Sequence, residues 1–273
     1  PTEYGLLTII STLAWGLGYF GMPQVLVRFL GIRSAEEVRQ SRIIAVVWVV
    51  ISMVCALCIG FIGRAMLPTY FGTNAAAENI FIVIAQMILP AFMCGVVVSG
   101  ILAASMSSAS SYLLITGSSV AENIFRGIIK RDATDRQVMI VSRITLAVVM
   151  IIGIVIALDE NSVIFRVVSY AWAGLGASFG PLVLCSLYWR RTNLPGALAG
   201  MLGGAITVVV WHNFIKPLGG VFGIYELLPA FIISLVCIFV VSKLTAEPSQ
   251  EIYDEFDHYT EARMDEDVNP AAA

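Results

Sequence analysis

The sequence predicts an all-α protein that crosses a membrane many times, and three observations predict it. Hydrophobic residues make up 58% of the 273, charged residues only 13%, and mean hydropathy is +0.87. Soluble domains carry about 25% charged residues. Seven apolar runs, at 6–30, 44–66, 91–118, 138–158, 163–187, 195–213 and 222–242, approach or exceed the ~20 residues that span the hydrocarbon core. Basic residues collect in every second loop between them.

The first run, 6–30, cannot be one regular helix. Gly16, Gly18, Gly21 and Pro23 fall within eight positions, and Pro23 removes a backbone donor and crowds the preceding turn. Irregular backbone at membrane depth survives only when shielded by protein or lining a wet cavity. Interrupted spans are the best sequence pointer to a transporter's binding site; a proline kink packed against a neighbour is the plainer reading. Trp15 and Tyr19, four apart, would put two aromatics beside the break, to enclose a small apolar body or to fill the core.

The next run, 44–66, follows a loop with Arg33, Arg39 and Arg42. Cys55 and Cys58 lie inside it without histidine or further cysteine nearby, so packing explains them better than metal or redox chemistry.

The third run carries Gly100-Ile-Leu-Ala-Ala-Ser-Met-Ser-Ser-Ala-Ser-Ser-Tyr112. On a helix Ala104, Ser107, Ser108 and Ser111 fall at i, i+3, i+4 and i+7 and share one face. Hydroxyls in hydrocarbon need partners. A desolvated Na⁺, which takes hard oxygen ligands, would supply one. Close packing of small residues at a helix interface would supply another.

The remaining runs complete the topology. Loop 119–137 carries Arg126, Lys130, Arg131 and Arg136; Arg190 and Arg191 follow the fifth run, and Lys243 the seventh. The alternate loops hold only Arg64 and Lys216. By the positive-inside rule the N-terminus lies outside and the C-terminus in the cytoplasm. Glu122 reads as a helix-end residue, and His212 as an interfacial residue rather than a proton relay. Arg166, near the start of the fifth run, has Asp159 and Glu160 close enough in sequence to pair with it. Residues 244–273 hold nine acids and read as a solvated, disordered tail. One membrane domain, 1–243, precedes it. An outside N-terminus starting at Pro1 without Met suggests the C-terminal part of a longer transporter. No nucleophile, paired acid, metal cluster or phosphate loop stands out, which disfavours an enzyme. The basic residues follow membrane topology, which leaves no case for nucleic-acid binding.

Four motifs, in order, then carry a resemblance. Ala14-Trp-Gly-Leu-Gly-Tyr-Phe-Gly-x-Pro23 continuing to Arg28-Phe29, Leu102-Ala-Ala-x-Met-Ser-Ser108, Ser169-Tyr-Ala-Trp-Ala-Gly-Leu-Gly-Ala-Ser-Phe-Gly-Pro181 and Gly196-Ala-Leu-Ala-Gly-Met-x-x-Gly204 resemble the sodium/solute symporter family, most closely its bacterial sodium/proline symporters. The resemblance covers about residues 5–243. It implies the second half of a leucine-transporter-like inverted-repeat fold plus two terminal helices, with the first repeat missing from this chain, and an extra surface or re-entrant helix at about 76–89, ended by Pro90. It implies Na⁺-coupled uptake of L-proline by alternating access across the bacterial inner (plasma) membrane, with Na⁺ as coupling ion. By that resemblance the Na⁺ ligands map to Ala104, Ser107 and Ser108, Ser108 standing where the proline symporters carry Thr. The substrate residues map to Trp15, Tyr19 and Pro23, with Gly16, Gly18 and Gly21 forming the backbone break. Ser111 is a possible accessory on the ion face, and Arg28 a possible inner-gate residue. A symporter of another small amino acid or carboxylate, a symporter-like sensor domain, and a channel stay open as alternatives.

Overall fold

The structure is a computed structural model and describes residues 5–69, 77–158 and 164–258. Among these residues the chain is helical, and six helices are long and apolar enough to cross a membrane by length and composition. A seventh crossing is the bent pair Leu6–Gly21 and Pro23–Phe29, whose axes meet at 50°. The chain forms two units, residues 1–41 with 164–273, and residues 42–163.

The first unit opens with the interrupted span. Helix α1 (Leu6–Leu13) tightens into a 3₁₀ segment, Ala14–Gly21, then breaks at Met22, whose φ −82° and ψ 117° are extended. Helix α2 (Pro23–Leu30) restarts on Pro23 at its first turn, where a missing N–H costs nothing and the fixed φ suits a helix. The proline therefore starts the second half-helix rather than merely kinking the first. Eight residues of 3₁₀ is long for that geometry, and it exists because α7 lies against it.

Helix α7 (Ile164–Tyr188) contains a buried Pro181. Proline at that position cannot bond the carbonyl four residues back, which belongs to Ala177. Gly204 of helix α8 (Leu194–Val210) sits directly against that carbonyl, where any side chain would collide. Asn193 caps α8 by accepting from the Gly196 N–H at 2.9 Å. Gly196, Gly200 and Gly204 form the buried stripe of α8. The first two face Ser242 and Ile238 of helix α9 (Leu227–Leu244), and the Ser234 hydroxyl donates to the Gly200 carbonyl at 2.8 Å. Small residues let membrane helices approach this closely. The core holds Ala173, Ala177, Val208, Leu227, Ala230 and Phe231.

The acidic segment from 244 is described as far as His258, and that part is bound rather than free. A short helix, α10, runs over 250–258. Arg191 pairs with Glu247 and Arg190 with Asp257, each at 2.6 Å, and the Arg190 guanidinium lies 4.7 Å from the Tyr253 ring centre. Asn193 also donates to Thr245 Oγ1 and to the Ala246 carbonyl at 2.7 Å. The rest of the expected tail, 259–273, lies outside the described residues, as do Asp159 and Glu160 and the side chain of Arg166.

The second unit holds most of helix α3 (Ala35–Met66), then α4 (Ile80–Ile88), α5 (Ala91–Ser118) and α6 (Asp135–Ala157). Helix α3 begins before its apolar run, because Ser34 Oγ accepts from the Glu37 N–H while the Glu37 carboxylate accepts from the Arg33 N–H, both at 3.3 Å. That exchange resembles a capping box. Helix α4 falls inside the 76–89 range, and its Ile80 and Ile84 close against Gly63. Helix α5 continues past Ser118 in wide π turns, Ser119–Ile129, through the expected loop. There Arg126 bridges Glu122 at 3.4 Å and Asp135 at 2.8 Å, and Ala121, Ala133 and Val138 form a small core.

Candidate functional site

The interrupted span is built for close approach, not for unusual dihedrals. Gly16, Gly18 and Gly21 all lie outside the left-handed region, since Gly219 and Gly220 are the positive-φ glycines among the described residues. Gly18 and Gly21 are buried. A Cβ on Gly21 would stand 2.6 Å from the Gly180 nitrogen and 2.7 Å from the Leu175 carbonyl oxygen. On Gly18 it would overlap the Trp172 indole, and on Gly176 it would stand 2.7 Å from the Gly18 Cα. The 3₁₀ segment thus lies backbone to backbone in a groove of α7 formed by Gly176 and Gly180. Gly16 meets nothing within 4 Å, so the three glycines expected to share one role divide between clearance at two positions and an open face at the third.

Around this crossing the rings assemble. Trp15 stacks near-parallel on Phe165 (5.4 Å between centres), Trp172 (5.3 Å) and Tyr225 (6.0 Å). Trp172 donates its Nε1–H to the Trp15 carbonyl at 3.1 Å, and Tyr19 meets the Trp172 ring edge-on at 4.8 Å. Trp172 is therefore the common partner of the two aromatics singled out beside the break. Tyr19 remains 51% exposed. Pro23 shapes the backbone at the start of α2, and Arg28 is exposed near that helix's end. Sequence reasoning missed Trp172, Phe165 and Tyr225. Phe165 and Trp172 are seven apart and so share a helical face, a signal that was there to be used; Tyr225 offered none.

Beside the rings lies a buried ion cluster. Glu226, just before α9, accepts from Lys216 Nζ at 2.6 Å, and its other oxygen is 2.9 Å from His212 Nδ1. Its side chain is 2% exposed. Burial pushes the carboxyl pKa up, but hydrogen bonds from Lys216, its own backbone and His212 outweigh that and hold it below its ordinary 4.5. A buried carboxylate stays ionised when it is paired and hydrogen-bonded in this way. His212, expected as an interfacial residue, is thus also a partner of the buried Glu226 carboxylate.

The hydroxyl face of α5 belongs to the second unit. Ser105, Ser110 and Ser111 each donate to the carbonyl four residues back, at 3.0, 2.8 and 3.1 Å. Ser107 and Ser108 do not, and neither hydroxyl has a hydrogen-bond partner among the described residues. Ala104, Ser107, Ser108 and Ser111 are all exposed. Ser111, the accessory position, is committed to the Ser107 carbonyl. The two hydroxyls left over are neutral oxygen donors of the kind a hard cation takes.

A model of the sodium:solute symporter family matches residues 5–204, which include both the interrupted span and the hydroxyl face. The chain belongs to the sodium:solute symporter family. It is 42% identical over 254 residues to the high-affinity proline transporter PutP of Bacillus subtilis, covering 93% of this chain and 53% of that protein. It is 39% identical to the osmoregulated proline transporter OpuE of the same organism, over 92% of this chain and 51% of the relative. A sodium/proline symporter of Staphylococcus aureus is 41% identical, over 88% of this chain and 48% of the relative. The chain spans about half the length of these curated relatives. No solved structure matches it.

Proposed function

We propose that this chain is part of a Na⁺-coupled symporter for L-proline. The observation that carries the reading is the interrupted span, where a 3₁₀ segment and a half-helix restarting on Pro23 hold Trp15 and Tyr19 beside the break. Proline is compact, half apolar ring and half zwitterion. Flat aromatic faces suit its ring by contact and its secondary ammonium by cation–π attraction. Relatives named as proline transporters, at about 40% identity, support the choice of solute.

Sodium is the second substrate, held by the Ala104 carbonyl and the Ser107 and Ser108 hydroxyls, with further ligands from the portion that the longer relatives have and this chain lacks. Neutral ligands favour Na⁺ over H⁺ because there is no carboxylate to titrate. Sodium binding biases the protein toward the outward-open state and orders the solute site, and the solute then draws Trp15 and Tyr19 around itself before the protein opens inward. Moving one charge through ~100 mV supplies ~2.3 kcal/mol, enough for roughly a fifty-fold solute gradient. The basic residues of 119–137 support a cytoplasmic position for that segment and for the acidic tail, in a bacterial cell.

Radiolabelled proline uptake by the full-length protein in proteoliposomes, with sodium or choline outside, tests this reading. The expected result is sodium-dependent uptake that unlabelled proline competes away and other amino acids do not. Equal uptake in choline would refute sodium coupling, and preferential competition by another solute would refute the choice of proline.

A further inference from the structure

Tyr225 precedes the buried Glu226 in the bend before α9 and reaches three elements at once. Its backbone N–H donates to Ser11 Oγ of α1 at 3.1 Å, its ring stacks on Trp15, and its hydroxyl donates to the Ser169 carbonyl of α7 at 2.6 Å. Trp15 lies on the interrupted span, whereas its other ring partners, Phe165 and Trp172, lie on α7. Tyr225 therefore ties together the two elements that carry the ring cluster. The bend itself is fixed, because both oxygens of Glu226 are held from the chain after α8, by Lys216 and His212. The His212 ring in turn packs on Tyr170 of α7, 4.6 Å between centres. Nothing in this arrangement requires tyrosine for burial alone. A leucine would fill the space, but only an aromatic ring stacks on Trp15, and the phenol oxygen adds the bond to Ser169.

We propose that Tyr225 is a positioning residue for the solute site, setting the place of the Trp15 ring relative to Trp172 while touching no solute itself. The inference rests on the reading of Trp15 as a solute contact. It extends the site to a residue 210 positions away in sequence, on the terminal helices that the substrate motif does not include.

The test uses the full-length protein in proteoliposomes, with uptake normalised to inserted protein, and compares Tyr225→Ala, Tyr225→Phe, Trp15→Ala and the Trp15→Ala/Tyr225→Ala double variant. Loss of one aromatic pair corresponds to about a three- to tenfold rise in proline half-saturation for Tyr225→Ala. The maximal rate and the sodium half-saturation stay close to those of the parent. Tyr225→Phe, which keeps the ring, recovers most of the loss. The double variant is no worse for proline than Trp15→Ala alone, because two residues acting through one contact are not additive. A Tyr225→Ala protein with a lower maximal rate and unchanged proline half-saturation overturns the proposal, as does a double variant whose effects multiply. If Tyr225→Ala does not insert, Tyr225→Leu is read against Tyr225→Phe by the same criteria. Should Trp15→Ala itself leave proline half-saturation unchanged, the solute-site reading falls and this inference with it. A rise in Trp15→Ala with none in Tyr225→Ala removes the positioning role alone.

Discussion

The glycines of the interrupted span allow a sharp test, because two explanations of them predict different outcomes. If they serve only to weaken a helix, Gly16→Ala and Gly21→Ala should behave alike. If Gly21 provides clearance, they should not. A methyl on Gly21 would stand 2.6 Å from the Gly180 nitrogen and 2.7 Å from the Leu175 oxygen, against an ordinary contact of ~3.5–4.0 Å. Both obstacles are backbone, so the 3₁₀ segment and α7 must part by roughly 1 Å. Overpacking of this kind costs about 1–3 kcal/mol. A methyl on Gly16 meets nothing within 4 Å, and replacing a helical glycine by alanine is worth about 0.5–1 kcal/mol in its favour. The two variants therefore move in opposite directions. The assay is the temperature at which purified full-length protein in detergent loses its monodisperse elution peak. Gly21→Ala should fall well below the parent and Gly16→Ala should match or exceed it. Equal loss in both variants would refute the clearance argument.

Trp15→Ala and Tyr19→Ala should each raise the proline half-saturation of uptake more than the sodium half-saturation; if both constants rise together, these rings serve the fold rather than the solute. At the ion cluster, Lys216→Met should destabilise the purified protein by about 1–3 kcal/mol, below the 3–5 of a fully enclosed pair because Lys216 is 35% exposed. Because the Glu226 carboxyl pKa is depressed on folding, its stabilisation is present above the ordinary 4.5 and is lost as pH falls through the lower folded value. The thermal-midpoint gap between the parent and Glu226→Gln should thus be present at about pH 5 and shrink below 4.5; a gap that closes on approach to about pH 9 instead would contradict the assignment.

The long apolar helices were legible in the sequence because hydropathy is a local, summed property, and so was the break at 14–23, because Pro23 and clustered glycines act on their own turn. The hydroxyl face was legible for the same reason, as a matter of helical period. What local pattern could not disclose was partnership. Trp172 meets Trp15 across 157 positions, and the pairing of Gly18 and Gly21 with Gly176 and Gly180 depends on two segments of different geometry lying in one groove. Gly16 and Gly21 look equivalent in the sequence, and only the neighbour tells them apart. Helix ends shifted where side chains intervened: Ser34 and Glu37 start α3 early, and the acidic segment after 244 is drawn onto Arg190 and Arg191 despite a composition that suits free chain.

The most direct test of the central claim is the sodium half-saturation of proline uptake in full-length Ser107→Ala and Ser108→Ala proteins. Both hydroxyls lack a hydrogen-bond partner among the described residues, so their removal should leave the helix intact and take a ligand from the ion. Each variant should need at least about tenfold more sodium, corresponding to about 1.4 kcal/mol of lost binding. Unchanged sodium dependence in both would contradict the account.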